Sequence, residues 1–174
     1  MTTPPPSLVM DWQERGEVVA VGGHDLFVVE QGPAEGPTLV LLHGFPGSSF
    51  DWRHVIAALT PRWRVLTCDF LGFGLSAKPD RRYSLFDQAD LVEELLADRG
   101  VDRAALLAHD MGDTVAAELL ARAHESGSRA GVEWTACMLT NGSIFIDMAQ
   151  LTDGQQMLLA LPDERRAESL GPDA

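Results

Sequence analysis

Residues 104–113 read AALLAHDMGD, and residues 114–125 continue TVAAELLARAHE. An apolar run stops at His109, and a helical pattern of Val115, Ala116 and Leu119 begins just beyond it. This spacing predicts a strand at 104–109 running through a tight turn into a helix at about 112–125. Ala108 and Gly112 stand two positions either side of Asp110. Such a sharp turn needs small neighbours, and it lifts the residue at its apex above the end of the sheet. The helix N-terminus beside that residue favours negative charge. A carboxylate placed there needs no base to become a nucleophile, whereas a serine would. The plainer role for Asp110 is a helix cap, with Asp113 a first-turn companion to the dipole, and both roles stand at this point.

Outward from this turn, the same alternation repeats. EVVAVGGHDLFVVEQG (17–32) is two β-rich runs around Gly22-Gly23, a hairpin. TLVLLHG (38–44) and RVLTCDF (64–70) are continuous apolar runs, expected of strands buried on both faces. Ser48 and Ser49 can cap a helix in FDWRHVIAALT, which Pro61 ends. Ser84 with Asp87 resembles a capping box for LFDQADLVEELLADRG, which Gly100 stops. A further strand is expected in WTACMLTNG (134–142), then an amphipathic helix in DMAQLTDGQQMLLAL and a charged tail. The fold class is therefore α/β: an N-terminal hairpin, then a mostly parallel sheet flanked by helices. The expected organisation is a loose start at 1–16, a core at 17–145 and a cap region or helical tail at 146–174.

In such sheets ligands sit at the carboxyl ends of the strands. Three segments fall there: HGFPGSS, DFLGFGLSAKP and AHDMGD. Gly72 to Ala77 also fits the dinucleotide pattern G-x-G-x-x-A. That fingerprint requires a helix to start inside it, and Lys78-Pro79-Asp80 breaks one.

LLHGFPGSSFDW, DFLGFGLSAKP and AHDMGDTVAAEL, in this order and spacing, resemble the α/β-hydrolase fold over roughly residues 17–145. The subgroup is the one with an aspartate nucleophile, which contains epoxide hydrolases and haloalkane dehalogenases. CDFLGFGLSAKP, HDMGDTVAAELL and LTNGSIF are most similar to the mesoderm-specific-transcript-like hydrolases. The resemblance implies Asp110 as nucleophile and the backbone N–H groups of Phe45 and Met111 as the oxyanion hole. It assigns supporting roles to His43, Gly44, Pro46, His109 and Gly112, with His109 turned away from Asp110. A carboxylate suits in-line attack on an sp³ carbon bearing a leaving group, so the expected intermediate is an alkyl-aspartyl ester. In the dehalogenases a tryptophan follows the nucleophile and an asparagine follows His-Gly. Here those places hold Met111 and Phe45, which favours epoxide over halide chemistry.

The resemblance also implies an order of nucleophile, acid, histidine. After Asp110 the sequence offers only His124. It lies down the helix by roughly 18 Å at 1.5 Å per residue, out of reach. Tyr83, the single tyrosine, precedes the turn, whereas the family's epoxide-opening tyrosines lie in the cap. The expectation is a hydrolase sequence cut short, inactive or limited to one turnover. The alternatives are a haloalkane dehalogenase-like enzyme and a non-catalytic binding protein that keeps the pocket. An unpaired sheet edge would favour self-association.

Composition narrows the rest. The 174 residues carry 13 Lys and Arg against 26 Asp and Glu, a net charge of −13. That disfavours nucleic acid, whose phosphates need a basic surface. No run approaches the roughly 20 apolar residues of a membrane span. MTTPPPSLVMDWQERG has neither the basic nor the apolar region of a signal peptide, so a cytoplasmic location is expected. Cys68 and Cys137 fall in apolar runs and are read as buried, reduced thiols. Neither a metal nor a cofactor is expected, and the substrate is expected to be small and apolar, an epoxide, halide or ester.

Overall fold

The computed structural model describes residues 8–125, 131–142 and 153–160. The chain divides into two units, residues 1–144 and 145–174. In the second, the described part is one helix, Asp153–Ala160. The rest of the helix expected there, and the charged tail, lie outside the described residues.

The first unit opens on helix α1 (Leu8–Gln13), where a loose start was expected. It is ordered because Trp12 is buried and donates its indole N–H to Ser49 Oγ at 3.3 Å. Strands β1 (Glu17–Val21) and β2 (His24–Gln31) form the expected hairpin, with Gly22 and Gly23 at positive φ in its turn. Then come β3 (Thr38–Leu42), a 3-10 turn (Ser49–Trp52) running into α2 (Arg53–Leu59), and β4 (Arg64–Cys68). They are followed by α3 (Leu85–Asp98), β5 (Arg103–His109), α4 (Met111–His124) and β6 (Glu133–Thr140). Among the described residues the sheet has the order β1-β2-β4-β3-β5-β6. β1, β2 and β4 pair antiparallel, and β4, β3, β5 and β6 pair parallel.

Alternation along each strand builds two cores. On one face Val40, Leu42, Leu106 and Ala108 meet Leu95 and Leu96 of α3 and Val115 and Leu119 of α4. On the other, Leu39, Leu41 and Val65 meet Trp52, Ile56 and Trp12. Every residue of β3 is buried, which explains its unbroken apolar run. β6 differs: of its eight residues, six are exposed, Cys137 among them. Two buried thiols were expected, and only Cys68 is one. Among the described residues β6 borders the sheet, so its apolar residues are not enclosed as those of β3 are. Burial, with Asp69 beside it, pushes the Cys68 thiol up to about 12, so it stays protonated.

Candidate active site

Parallel register sets the site. Leu42 of β3 pairs with Ala108 of β5, and His109 pairs with Thr140 of β6. The residues that follow these strands therefore emerge level with one another at one end of the sheet.

Asp110 occupies the N-cap position of α4, yet its side chain makes no capping bond. Its backbone has φ 55° and ψ −116°, a conformation that a side-chain-bearing residue adopts at a cost of about 1–3 kcal/mol. The carboxylate turns to the loop after β3, where its Oδ1 accepts the backbone N–H of Phe45 at 2.8 Å. Two glycines make this approach possible. A Cβ on Gly44 would lie 2.5 Å from the Asp110 Cβ. One on Gly112 would lie 2.5 Å from the Leu42 carbonyl oxygen and 2.7 Å from that of His43. The small residues read in the sequence are thus the points where one loop presses on another. The Phe45–Pro46 peptide is cis.

His43 is buried beneath this loop. Its Nε2 accepts the N–H of Phe70 at 2.9 Å, so the proton sits on Nδ1, 2.9 Å from the Gly44 carbonyl that accepts it. Burial holds its pKa below the ordinary imidazole value. Both ring nitrogens are thereby committed to backbone. Beside it, Asp69 is buried and braces two loops. Its Oδ1 accepts from the Ser49 backbone N–H at 2.7 Å and from the Ser49 hydroxyl, and its Oδ2 accepts from Leu75 N–H at 2.6 Å. Residues 70–79 wrap this carboxylate in turns, and the next helix begins at Leu85. The Gly72–Ala77 pattern therefore has no helix N-terminus to offer a pyrophosphate.

Asp113 lies in the first turn of α4, as read from the sequence, and is buried there. Its Oδ1 accepts the Thr140 N–H at 3.2 Å, and its carboxylate also accepts from the Gly142 N–H. Burial raises its pKa above the ordinary carboxylate value, with those two bonds opposing. The partners lie across the sheet edge, so nothing local in the sequence announces them.

Two cavities open near Asp110. One, of about 370 Å³, is lined by Phe45, Phe73, Tyr83, Leu85 and Met111. The sequence reading set Tyr83 aside, but the fold brings it to this wall, its hydroxyl donating to the Pro79 carbonyl at 2.7 Å. The other, of about 220 Å³, is lined by His43, Gly44, Asp51, Trp52 and His109. Asp110 is thus flanked by an apolar wall through its neighbours Phe45 and Met111, and His109 faces the second cavity. All five histidines lie among the described residues, and none is hydrogen-bonded to the Asp110 carboxylate there. Among the described residues no group of three or more His, Cys, Asp or Glu side chains could hold a metal ion. No helix there is long and apolar enough to cross a membrane.

A family model described as alpha/beta hydrolase fold matches residues 37–132. LipZ of Mycobacterium tuberculosis is 43% identical over 159 residues, covering 91% of this chain and 53% of that protein. The mesoderm-specific transcript protein of Mus musculus is 43% identical over 151 residues, covering 82% of this chain and 45% of that protein. The crystal structure of the haloalkane dehalogenase DbeA from Bradyrhizobium elkani superposes with a TM-score of 0.76 at 28% identity, covering 91% of this chain and 54% of that one. The chain thus spans about half the length of these relatives.

Proposed function

The chain belongs to the α/β-hydrolase fold family, and from that premise we propose that Asp110 is the nucleophile of a hydrolase that opens epoxides through an alkyl-enzyme ester. The observation that carries this reading is the Asp110 side chain itself. It sits at a helix start in a strained conformation, declines the capping bond and accepts the Phe45 N–H instead. A carboxylate that served only as a cap would bond the first turn of its own helix.

Oδ1 is already held by a backbone donor, so Oδ2 is the attacking oxygen. It displaces the epoxide oxygen from carbon; the C–O bond breaks, and the resulting alkoxide takes a proton from water. Oδ1 becomes the ester carbonyl oxygen without moving. When water adds to that carbonyl, the developing negative charge falls on the oxygen that Phe45 N–H already contacts, with Met111 N–H as the second donor. The apolar cavity beside Phe45 and Met111 takes the substrate's carbon skeleton, and its volume lies within the range usual for small-molecule pockets. Among the described residues its walls offer neither an asparagine nor a tryptophan to hold a departing halide, so epoxides are favoured over haloalkanes.

Histidine is the usual base for the second step. With His43 committed to backbone and His124 at the far end of α4, the ester is expected to persist in this 174-residue chain. Exposure to styrene oxide should leave one equivalent of adduct on the Asp110 peptide, read by mass spectrometry. Asp110→Asn and Asp110→Ala should leave none. Faster adduct formation with 1-bromobutane than with the epoxide would move the reading to dehalogenation. Steady release of diol that depends on Asp110 would overturn the single-turnover limit.

A further inference from the structure

We propose that Asp113 is a positioning residue for Asp110, acting through the end of β6. The inference rests on the nucleophile reading above. A residue at φ 55° and ψ −116° stays there only if its surroundings leave it no alternative. Both backbone polar groups of Asp110 are fixed by this pair of residues. Its N–H donates to the Thr140 carbonyl at 2.9 Å, and its carbonyl accepts the Asp113 N–H at 3.0 Å. Thr140 is in turn held twice. Its N–H donates to Asp113 Oδ1 at 3.2 Å, and its hydroxyl donates to the Ala108 carbonyl at 2.8 Å. Residues 110, 113 and 140 therefore close a ring of three hydrogen bonds, in which the Asp113 side chain is the link between α4 and β6.

Gly142 packs against the same carboxylate: a Cβ at residue 142 would overlap its Oδ2. Burying a carboxylate is costly, and a helix-dipole role does not require it, since a solvated first-turn acid serves the dipole as well. The burial has a reason if the carboxylate fixes the strand end that grips the nucleophile's N–H. Asp113 does not line the substrate cavity; its carboxylate feels the Asp110 charge directly, and its hydrogen-bonded route to the nucleophile's backbone runs through Thr140.

The test compares the full chain with Asp113→Ala, Asp113→Asn and Gly142→Ala. Two readouts are taken: amide hydrogen exchange residue by residue, and the rate of adduct formation at Asp110 with styrene oxide. In Asp113→Ala the Asp110 amide should exchange at least about tenfold faster, while amides of β3 and α3 keep their rates. The maximal alkylation rate should fall by a similar factor, with the half-saturating styrene oxide concentration unchanged. Asp113→Asn keeps one acceptor oxygen for Thr140 and should recover part of both. Gly142→Ala, which crowds the carboxylate without altering it, should reproduce the loss. Unchanged exchange at Asp110 and an unchanged alkylation rate in a folded Asp113→Ala chain overturn the proposal. Should Asp113→Ala fail to fold, the same comparison is decided by Asp113→Asn and Gly142→Ala. If even the unmodified chain forms no adduct, the nucleophile reading fails, and exchange at Asp110 alone decides whether the ring holds.

Discussion

Gly44 and Asp110 meet so closely that residue 44 has no room for a side chain. Gly44→Ala puts a methyl group 2.5 Å from the Asp110 Cβ. Overpacking of this kind costs about 1–3 kcal/mol, to be read from urea unfolding, and adduct formation should be lost with it. His43 makes a prediction about pH. Its folded pKa is depressed by burial, so protonation favours the unfolded chain. Its contribution is complete above the ordinary histidine value of about 6.5 and is lost as pH falls through the lower folded value. His43→Asn does not titrate there. It should be less stable at neutral pH but lose less stability between about pH 7 and pH 5 than the unmodified chain. Parallel curves for the two would contradict the role given to His43. The sequence made Asp110, Gly44 and Gly112 legible because their constraint is local: a strand, a sharp turn and a helix within a few residues. The burial of Asp113 was not legible, because its partners Thr140 and Gly142 arrive from another strand. Tyr83 was missed for a similar reason, since only the path of residues 70–84 brings it to the cavity wall.

The elements were readable wherever their signals were self-contained. Ser84 caps α3, accepting the Phe86 N–H at 3.1 Å. Asp87, read as its capping-box partner, turns instead to Arg81 at 2.7 Å, because an arginine ion pair competes with the cap. Ser84→Ala should therefore cost about 1 kcal/mol in thermal or urea unfolding. Asp87→Ala removes a largely exposed pair and should cost well under about 1 kcal/mol. Ser48 does close the box that Asp87 does not, with Asp51, at the 3-10 turn. Beside their shared apolar core, α3 and α4 are joined by an ionic cluster. Arg122 of α4 reaches Asp90 at 2.6 Å and the buried Glu93 at 2.8 Å on α3, and Glu118 of its own helix at 2.7 Å. Arg122→Met would leave the Glu93 carboxylate buried without its cation and should cost about 3 kcal/mol. A loss below about 1 kcal/mol would show that Glu93 finds another partner. Helix α1 escaped the sequence reading because its order comes from one tryptophan and a serine 37 residues away.

For the whole molecule, hydrophobic periodicity made the order of strands and helices legible, and the strand at 134–140, expected to be an unpaired edge, ends the sheet among the described residues as β6. An apolar run looks alike whether it is enclosed, as β3 is, or exposed, as β6 is. Among the described residues β6 pairs with β5 alone and exposes Met138 and Leu139. A strand edge with apolar side chains is a template for pairing with another chain. Sedimentation at rising concentration should show association, and Met138→Lys should weaken it; a monomer at every concentration would contradict this. The fold places one strained carboxylate between a backbone donor and an apolar cavity, and its chemistry can be tested in a single labelling measurement. The chain is first alkylated with styrene oxide and freed of excess reagent. It is then moved into heavy-oxygen water at raised pH, where hydroxide attacks the ester without a general base. Mass spectrometry should find the heavy oxygen in the Asp110 carboxylate, because in the proposed mechanism attack falls on the ester carbonyl, whose oxygen faces the Phe45 N–H. Label confined to the released diol, with Asp110 unlabelled, would show attack at the alkyl carbon and contradict ester hydrolysis at the Asp110 carbonyl.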